Sequence, residues 1–461
     1  MMVARILAII LFLSMVAPLS GLEGNNSAGV IFQGFYWDVP EGWYGVLADA
    51  ASDLSDIGGY SIDYIWFPPP SKGMSGSSSM GYDPYDYYDL GQYDQKGSVE
   101  TRFGSFNDLQ DAIYAYHSNG IGVIADVVIN HRGGGELEHN PNTGDYNYTD
   151  FGGVASRNCT WGYDAFHPSS YEAYDPGNFG GFPDVCHANA TVIDDLTEWG
   201  NWLAGLGFGG WRFDYVKGYY PWVAEEFKNS TGDPFCVAEF WDRDINLIEQ
   251  WVDESGGGIS VFDFPLYYSM RDVCLVTDGS ADISTFVSPY SSFVAIHPEL
   301  SVTFAASHDT DEITYDKMLA YGFILTYEGT PCIWWKDYFD YGLDVGGAKE
   351  PLQEGNGIDR LIWVRGALGG GAPETEVLYK DGDLLAYQET AHEGYVVVLN
   401  DNSKNWKGQY VETRFADSDL ECVAWSSTVD NSKPASKTTN SEGGADLWAP
   451  PRGYAVYAPV Q

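Results

Sequence analysis

Short apolar runs alternate with amphipathic segments between Gly29 and Asp337. The runs are rich in β-branched and aromatic residues, and each is followed by a segment whose apolar positions have helical spacing. Such βα repeats are typical of a parallel sheet, and eight of them favour a closed (β/α)8 barrel in the α/β class. The predicted strands lie within residues 29–37, 64–70, 122–131, 209–216, 234–241, 258–265, 302–309 and 330–337.

The segment 132–190 interrupts this alternation, because it is rich in Gly, Asn, Asp and Tyr and has no helical periodicity. A structureless loop of that length would be unusual in a compact domain, so we predict a loop-rich inserted subdomain after the third strand. Beyond Gly366 short strand-like runs are separated by turn residues, which indicates an antiparallel β domain. The predicted boundaries are 25–131 and 191–365 for the barrel, 132–190 for the insertion and 366–461 for the C-terminal domain.

Residues 1–24 have the pattern of a secretory signal peptide. Arg5 precedes an apolar run over 6–17, and small residues follow it up to Gly24. The apolar run is shorter than the roughly 20 residues that a membrane span requires. We therefore expect a secreted, extracellular protein that is not held at a membrane once the signal is removed. An uncleaved anchor is the alternative.

The charge of the chain is strongly acidic. With 66 Asp and Glu against 23 Lys and Arg, the formal net charge is −43 over 461 residues. Nucleic acid is excluded as an expected partner, because phosphates are bound by basic patches. Such an excess repels itself at low salt, whereas at molar salt the Debye length falls to roughly 3 Å. We therefore predict a salt-adapted monomer; ordinary solubility, the alternative explanation, needs far less charge.

Acidic side chains stand near the ends of four predicted strands. The C-terminal strand ends form the active site in barrel enzymes, and an acid in an apolar strand is costly to bury unless it is paired. One such acid alone would more often be a structural ion pair, but several together with basic side chains indicate a functional site. The acids are Asp126, Asp214, Glu239 and Asp309, and Arg212, His131 and His308 stand beside them.

These segments resemble the α-amylase family, glycoside hydrolase family 13, and most closely its archaeal extracellular members. The resemblance covers the barrel from about Gly29 to Asp337, whereas the C-terminal domain matches only in general character. The motifs occur in the family's order: PPPSKGM at 68–74, GYDP at 81–84, DVVINH at 126–131, FPD at 182–184, GWRFDYVK at 210–217, Glu239 with its neighbours, and His308-Asp309.

The resemblance implies an endo-acting, retaining α-amylase that hydrolyses α-1,4-glucosidic bonds of starch or glycogen. Asp214 is then the expected nucleophile, Glu239 the general acid/base and Asp309 the carboxylate that orients the sugar. A retaining glycosidase needs one ionised and one protonated carboxyl group about 5–5.5 Å apart. Arg212, two residues before Asp214 on a strand, faces the same side and can keep that carboxylate ionised.

Apolar neighbours are expected to raise the pKa of Glu239 by desolvation. By resemblance, the two histidines would hydrogen-bond the sugar at the cleavage point, and further side chains would line neighbouring subsites. For each of these residues a purely structural role is the alternative. The expected substrate contacts are Tyr82, His131, Arg212, Lys217, Trp241 and His308.

The resemblance also implies a Ca²⁺ ion between the barrel and the insertion. Carboxylate, amide and carbonyl oxygens are the ligands that Ca²⁺ selects. Ordinary loop acids are the alternative for the two carboxylates. The matching ligands are the side chains of Asn130, Asp175 and Asp184 and the backbone carbonyls of Gly177 and Gly218.

Zinc beside the calcium is disfavoured on balance. His167 and Cys186 match the zinc ligands of archaeal members, but Glu172 stands where a second histidine is expected. Zinc accepts a carboxylate, yet the loss of a preferred nitrogen ligand weakens the match. A disulfide between Cys159 and Cys186 is a competing use of the same thiol.

Ser307 is a second departure from the family, in which Asn usually precedes His-Asp. The shorter side chain can change how Asp309 is oriented without removing a catalytic group.

Two other functions remain open: a transglycosylase or exo-acting enzyme of the same family, and a non-catalytic, calcium-dependent polysaccharide-binding homologue. The absence of long extra C-terminal domains disfavours cyclodextrin-forming relatives, and retention of the three acids argues against the binding homologue.

Overall fold

Eight parallel strands close into a barrel in a computed structural model that describes residues 29–278, 280–344 and 357–460. This confirms the predicted fold class; the predicted signal peptide lies outside the described residues. Each strand is followed in the chain by one helix. The strands are β1 Ile31–Gln33, β2 Tyr64–Trp66, β3 Gly122–Val127, β4 Gly210–Phe213, β5 Phe235–Ala238, β6 Ser260–Phe262, β7 Ser301–Phe304 and β8 Thr330–Trp334. The helices are α1 Trp43–Leu54, α2 Phe106–Ser118, α3 Ala190–Leu206, α4 Pro221–Ser230, α5 Ile245–Glu254, α6 Phe264–Leu275, α7 Lys317–Ile324 and α8 Ile358–Trp363.

The barrel closes where β1 pairs with both β8 and β2. Ile31 lies opposite Cys332 on one side and Tyr64 on the other. Nearly every strand residue is buried, as expected for parallel strands covered on both faces. Each apolar run contributes one strand, but the strands end earlier than the runs. Asp214, Glu239 and Asp309 therefore follow the last residues of their strands at the barrel rim, whereas Asp126 lies within β3 and pairs in register with Arg212.

The insertion contains a hairpin of Glu136–His139 and Tyr146–Asp150 and a short helical turn at Tyr163–Ala165. Its buried aromatic residues, such as Phe151 and Trp161, are continuous with the main core. The Arg132 guanidinium lies 3.8 Å from the centre of the Phe151 ring and donates a 2.7 Å hydrogen bond to the Cys159 carbonyl. The insertion is thus packed against the end of β3 through apolar contacts as well as polar ones.

The C-terminal part is antiparallel, as predicted. Its strands are β9 Thr375–Lys380, β10 Leu384–Glu389, β11 Val396–Asn400, β12 Lys407–Glu412, β13 Asp419–Ser427, β14 Lys437–Thr438, β15 Gly444–Ala449 and β16 Gly453–Pro459. A six-stranded sheet has the order β9-β10-β11-β16-β13-β14, and β12 pairs with β15 separately. The sequence pattern missed β12, β14 and β15.

One buried arginine joins this sheet to the barrel. Arg452 donates a 2.7 Å hydrogen bond from Nε to Asp316 Oδ2, just before α7, and a 2.8 Å bond to the carbonyl of Cys274 in α6. It also contacts the carboxylate of Asp401 at the end of β11. In the described ranges, no helix combines the length and the apolar character that crossing a membrane requires.

Candidate active site

A single buried guanidinium holds three carboxyl groups at the rim of the barrel. Arg212 lies on β4 and is 1% exposed. Its Nη1 lies 2.8 Å from Asp126 Oδ1 and 2.8 Å from Asp214 Oδ1, and its Nη2 lies 2.7 Å from Glu239 Oε1. Arg212 was expected to contact the substrate, but it lies below the acids and contacts them. The ends of β3, β4 and β5 are thereby held together.

One positive charge cannot neutralise three carboxylates, so part of this cluster holds a proton. Burial raises the pKa of Glu239 to about 8, although the Arg212 charge opposes the shift. The backbone N–H of Tyr215 donates to Glu239 Oε2 at 3.2 Å. Burial also raises the pKa of Asp126 to about 7. Glu239 is therefore the protonated acid beside Asp214 at neutral pH.

Asp309 lies on the loop after β7, and its side chain is 40% exposed. Its Oδ2 lies 3.3 Å from His308 Nε2, and burial raises its pKa above the usual range. Ser307 Oγ accepts a 3.3 Å hydrogen bond from the Asp309 N–H and lies 2.8 Å from Thr310 Oγ1. The serine that departs from the family pattern thus stabilises the turn that carries Asp309.

A chain of hydrogen bonds connects His308 to the arginine cluster. The Tyr82 hydroxyl donates to Asp126 Oδ2 at 2.8 Å and lies 2.8 Å from His308 Nε2. The Gln33 amide donates to His308 Nδ1 at 2.8 Å, and the Trp66 indole donates to Asp126 Oδ2 at 3.1 Å. Burial and then the Arg212 charge lower the pKa of His308 well below its usual range, so the imidazole is neutral.

The indole of Trp37 stacks on the two rings of this hydrogen-bond chain. The Trp37 ring lies 5.7 Å from the Tyr82 ring and 6.1 Å from the His308 ring, both nearly parallel, and 48% of Trp37 is exposed. Gln33, Trp37 and Trp66 were missed by the sequence reasoning. The only available signal was their position at the C-terminal ends of the first two predicted strands.

The other expected substrate residues have mixed surroundings. His131 is fully buried; its Nε2 lies 2.8 Å from the Tyr82 carbonyl oxygen, and its ring stacks 4.8 Å from that of Phe179. Lys217 lies beyond the acids and forms a 2.7 Å ion pair with Asp242. Trp241 is 37% exposed. His131 therefore connects the barrel to the insertion, whereas Lys217 and Trp241 lie outside the arginine cluster and contact each other through the Lys217 ammonium and the Trp241 carbonyl.

The residues expected to bind calcium fit a cation. Asn130 Oδ1, Asp175 Oδ2 and Asp184 Oδ1 are buried and have no hydrogen-bond partner among the described residues. Burial and the neighbouring charge of Asp184 raise the pKa of Asp175 to about 7. A Cβ at Gly218 would lie 1.9 Å from Asn130 Oδ1, so only glycine permits this approach. Unpaired buried oxygens of this kind are the donors that Ca²⁺ accepts.

The backbone brings these ligands together. The Gly177 N–H donates to the Gly218 carbonyl at 3.2 Å, and the Val185 N–H donates to the Asn130 carbonyl at 2.9 Å. His167 Nδ1 lies 3.1 Å from Asp184 Oδ2. The insertion and the ends of β3 and β4 thus meet around the three unpaired oxygens.

His167 also faces the residues considered for zinc. Its Nε2 lies 3.7 Å from Glu172 Oε2, and donor atoms of His167, Glu172 and Cys186 all lie within 4.8 Å of one another. Imidazole, carboxylate and thiolate are zinc ligands, so the set fits zinc better than the sequence indicated. Cys159 and Cys186 both carry free thiols. The disulfide that was considered between them is therefore wrong.

These features define a glycoside hydrolase built on a (β/α)8 barrel. The profile described as the catalytic domain of α-amylase matches residues 38–226. The chain is also 30% identical over 405 residues to the glucan 1,4-alpha-maltohexaosidase of Bacillus sp. strain 707, which covers 74% of this chain and 76% of that protein. The chain belongs to the α-amylase family and is a hydrolase that acts on α-glucans.

Other relatives agree with this assignment. The α-amylase of Bacillus licheniformis is 27% identical over 473 residues, which are 88% of this chain and 90% of that protein. Among solved structures, an Anoxybacillus α-amylase superposes with a TM-score of 0.66 at 18% identity and covers 94% of this chain and 97% of its own. A three-domain cyclomaltodextrin glucanotransferase superposes with a TM-score of 0.69 at 18% identity, over 94% and 99% of the two chains. At this identity the superpositions show the fold alone.

Proposed function

We propose that the chain is an endo-acting, retaining α-amylase that hydrolyses α-1,4-glucosidic bonds in starch or glycogen. The observation that carries the proposal is the sharing of one guanidinium by Asp214 and Glu239. This sharing places the two carboxyl groups side by side, which suits the roughly 5–5.5 Å separation of a retaining mechanism better than the roughly 6.5–9.5 Å of an inverting one.

The reaction has two steps. Asp214 attacks the anomeric carbon while Glu239 gives its proton to the glycosidic oxygen, so the leaving chain departs neutral and a glycosyl ester forms on Asp214. Glu239 then takes a proton from water, whose oxygen attacks the anomeric carbon and releases Asp214 as a carboxylate. Asp309, the most exposed of the three acids, is proposed to accept hydrogen bonds from the sugar hydroxyls. Neutral His308 and Tyr82 form the floor of this site.

Calcium is proposed to bind at the junction of barrel and insertion. The side chains of Asn130, Asp175 and Asp184 would hold it, together with the carbonyls of Gly177 and Gly218. When bound, the ion would neutralise the paired carboxylates and stabilise the junction. His131 follows Asn130 directly, so the bound ligand set would fix the loop that carries His131 next to Tyr82. Zinc would be held by His167, Glu172 and Cys186.

Secretion, salt adaptation and a monomeric state complete the proposal. They are supported by the N-terminal signal pattern and by the net charge of −43. Repulsion between such chains disfavours self-association at low salt. The proposed similarity to archaeal extracellular members rests on the sequence motifs, since the relatives named above are bacterial.

Exo-action and transglycosylation are the alternative functions, and both use the same three acids. The similarity to a maltohexaosidase in sequence favours testing exo-action directly. The number of domains does not separate hydrolases from glucanotransferases, because a three-domain cyclomaltodextrin glucanotransferase has the same fold. A non-catalytic binding protein would have no need for the raised pKa of Glu239.

The test follows iodine colour and new reducing ends together. Purified protein is incubated with soluble starch, Ca²⁺ and molar KCl, with the Asp214→Asn variant as control. Endo-hydrolysis gives rapid loss of colour with few new ends, and no loss in the variant. Slow colour loss with abundant short products indicates exo-action, cyclic or elongated products indicate transglycosylation, and no change in either protein contradicts the proposed hydrolysis.

A further inference from the structure

A groove of about 590 Å³ lies on the outer side of α6, next to the cleft. It is formed by the loop after β5, by α6 and by the segment that follows α6. Its lining combines charged, hydroxyl and aromatic side chains, and none of them belongs to the catalytic cluster. The lining includes Arg243, Tyr268, Asp272, Asp282 and Tyr290.

Trp241 connects the groove to the acids. It follows Glu239 by two residues, and its indole N–H donates a 2.6 Å hydrogen bond to the hydroxyl of Tyr268, which lines the groove. The indole stacks 4.9 Å from Phe264 and remains 37% exposed. The partly exposed indole of Trp241 therefore lies between Glu239 and the groove, and it can contact a sugar chain that passes from one to the other.

The position of Glu239 determines which end of a bound α-glucan lies toward Trp241 and the groove. Glu239 protonates the glycosidic oxygen that leaves with the reducing-end segment of an α-glucan. That segment therefore departs on the side of Glu239, where Trp241 and then Tyr268 lie. A long chain has further glucosyl units to place beyond Trp241, whereas a short oligosaccharide has none.

The groove side chains suit a neutral polyol. The Arg243 guanidinium lies 3.8 Å from the centre of the Tyr268 ring. Its Nη1 lies 3.9 Å from Asp272 Oδ2, which is too long for a hydrogen bond. Stacked in this way, its N–H groups remain available to hydroxyl oxygens. The Asp272 side chain is 57% exposed; its Oδ1 accepts hydrogen bonds from Arg271, and its Oδ2 can accept one from a sugar hydroxyl. The Tyr290 ring is 90% exposed and offers a flat apolar surface for the face of a sugar.

The net charge of −43 favours the same occupant. At low salt a second copy of the chain or an anionic polymer would be repelled, whereas an uncharged polymer would not, and at molar salt the binding of an uncharged polymer still needs no charge to be screened. We propose that the groove binds the reducing-end segment of long α-glucans, as an extension of the cleft that raises activity on polymer relative to short oligosaccharides. This inference rests on the proposed function, because it assigns the leaving side from the role of Glu239.

The first test compares two substrates. The ratio of kcat/KM on amylose to kcat/KM on maltotetraose is measured in molar KCl for Tyr290→Ala and Arg243→Ala. We expect this ratio to fall roughly 3- to 10-fold in each variant, the scale of one aromatic or hydrogen-bonded contact. Tyr114→Ala is the matched control, because Tyr114 is a 74% exposed tyrosine on α2, and its ratio stays at the wild-type value. An unchanged ratio in both groove variants, with melting temperatures intact, overturns the proposal.

A second test separates the groove from the catalytic assignment. Amylose affinity is measured by titration calorimetry in the Asp214→Asn background, with and without Tyr290→Ala. Weaker amylose binding in the double variant, with maltotetraose binding unchanged, supports the groove even if the wild type hydrolyses nothing. Equal amylose affinity in the two proteins rejects the groove even if the wild type is a fully active amylase.

Discussion

Glu239 Oε1 lies 2.7 Å from Arg212 Nη2, yet burial raises the pKa of this carboxyl group to about 8. The cost of desolvation thus exceeds the attraction of the cation, which is shared with two other acids. The proximity of an arginine alone would suggest an ionised glutamate. The full set of neighbours makes Glu239 the group that retains a proton.

The raised pKa of Glu239 predicts that activity falls at alkaline pH. Glu239 must be protonated to act as the acid, so kcat/KM is expected to fall about tenfold for each pH unit above about 8. A pH profile on a soluble maltooligosaccharide measures it. Glu299→Gln, which changes an exposed glutamate, keeps the same profile, whereas Glu239→Gln loses activity at every pH. A limb that begins near pH 5 would contradict the raised pKa.

Removal of the Tyr82 hydroxyl is expected to break the chain of hydrogen bonds that connects His308 to Asp126. Tyr82→Phe keeps the ring that stacks on His308 but removes the 2.8 Å hydrogen bond to Asp126. We expect kcat to fall roughly 10- to 100-fold, equivalent to the ~1–3 kcal/mol cost of an unsatisfied buried polar group.

Steady-state kinetics on maltooligosaccharides check this expectation. Tyr148→Phe serves as the control, because Tyr148 is 63% exposed on the hairpin of the insertion. Equal kcat values in the two variants would show that the tyrosine hydroxyl does not support the site.

Metal removal is expected to lower stability through the junction of the insertion. At a free Ca²⁺ concentration of 100 Kd, the ion would add about 2.7 kcal/mol to the free energy of unfolding. Exhaustive chelation should therefore lower the melting temperature, and added Ca²⁺ should restore it. Elemental analysis of the purified protein measures whether calcium, zinc or both are bound.

A substitution at Gly218 tests the proposed calcium site without a chelator. Gly218→Ala places a Cβ 1.9 Å from Asn130 Oδ1 and should abolish the Ca²⁺-dependent gain in stability. Gly209→Ala is the matched control, because nothing lies within 4 Å of its added Cβ. A Ca²⁺-dependent gain that survives in Gly218→Ala would place the ion elsewhere.

Salt is expected to stabilise the fold. Because the net charge is −43, the free energy of unfolding should rise as KCl increases from millimolar to molar, where the Debye length is roughly 3 Å. Urea denaturation at several KCl concentrations measures the change, with glycerol at matched osmolality as the uncharged control. Full stability and activity in dilute buffer would overturn salt adaptation.

The barrel and its acids could be predicted from the sequence for a physical reason. Buried parallel strands are continuous apolar runs, and acids within such runs stand out because they are costly to bury unpaired. Gln33 and Trp66 could not be found in this way, since neither is unusual in a strand. Their contacts to His308 and Asp126 depend on barrel closure, which a local pattern does not contain.

The exact ends of the strands and the polar hairpins could not be predicted from the hydrophobic pattern either, because pairing with other strands defines them. The run 122–131 continues apolar past Val127, where the strand ends. Strand β12 alternates poorly because Lys407, Gly408 and Gln409 open it, and only its pairing with β15 defines it. The groove beside α6 likewise combines residues from 243 to 291 that lie far apart in sequence.

The Arg452 contact ties the C-terminal sheet to the stretch of chain that carries Asp309. Asp316, which Arg452 holds, ends the segment that begins with Asp309. A chain cut before β9 would lose this guanidinium together with Tyr387 and Tyr454, whose rings belong to the same hydrophobic core as the barrel. Apolar barrel surface would then face water, so we expect the truncated barrel to lose stability as well as the fixed position of Asp309.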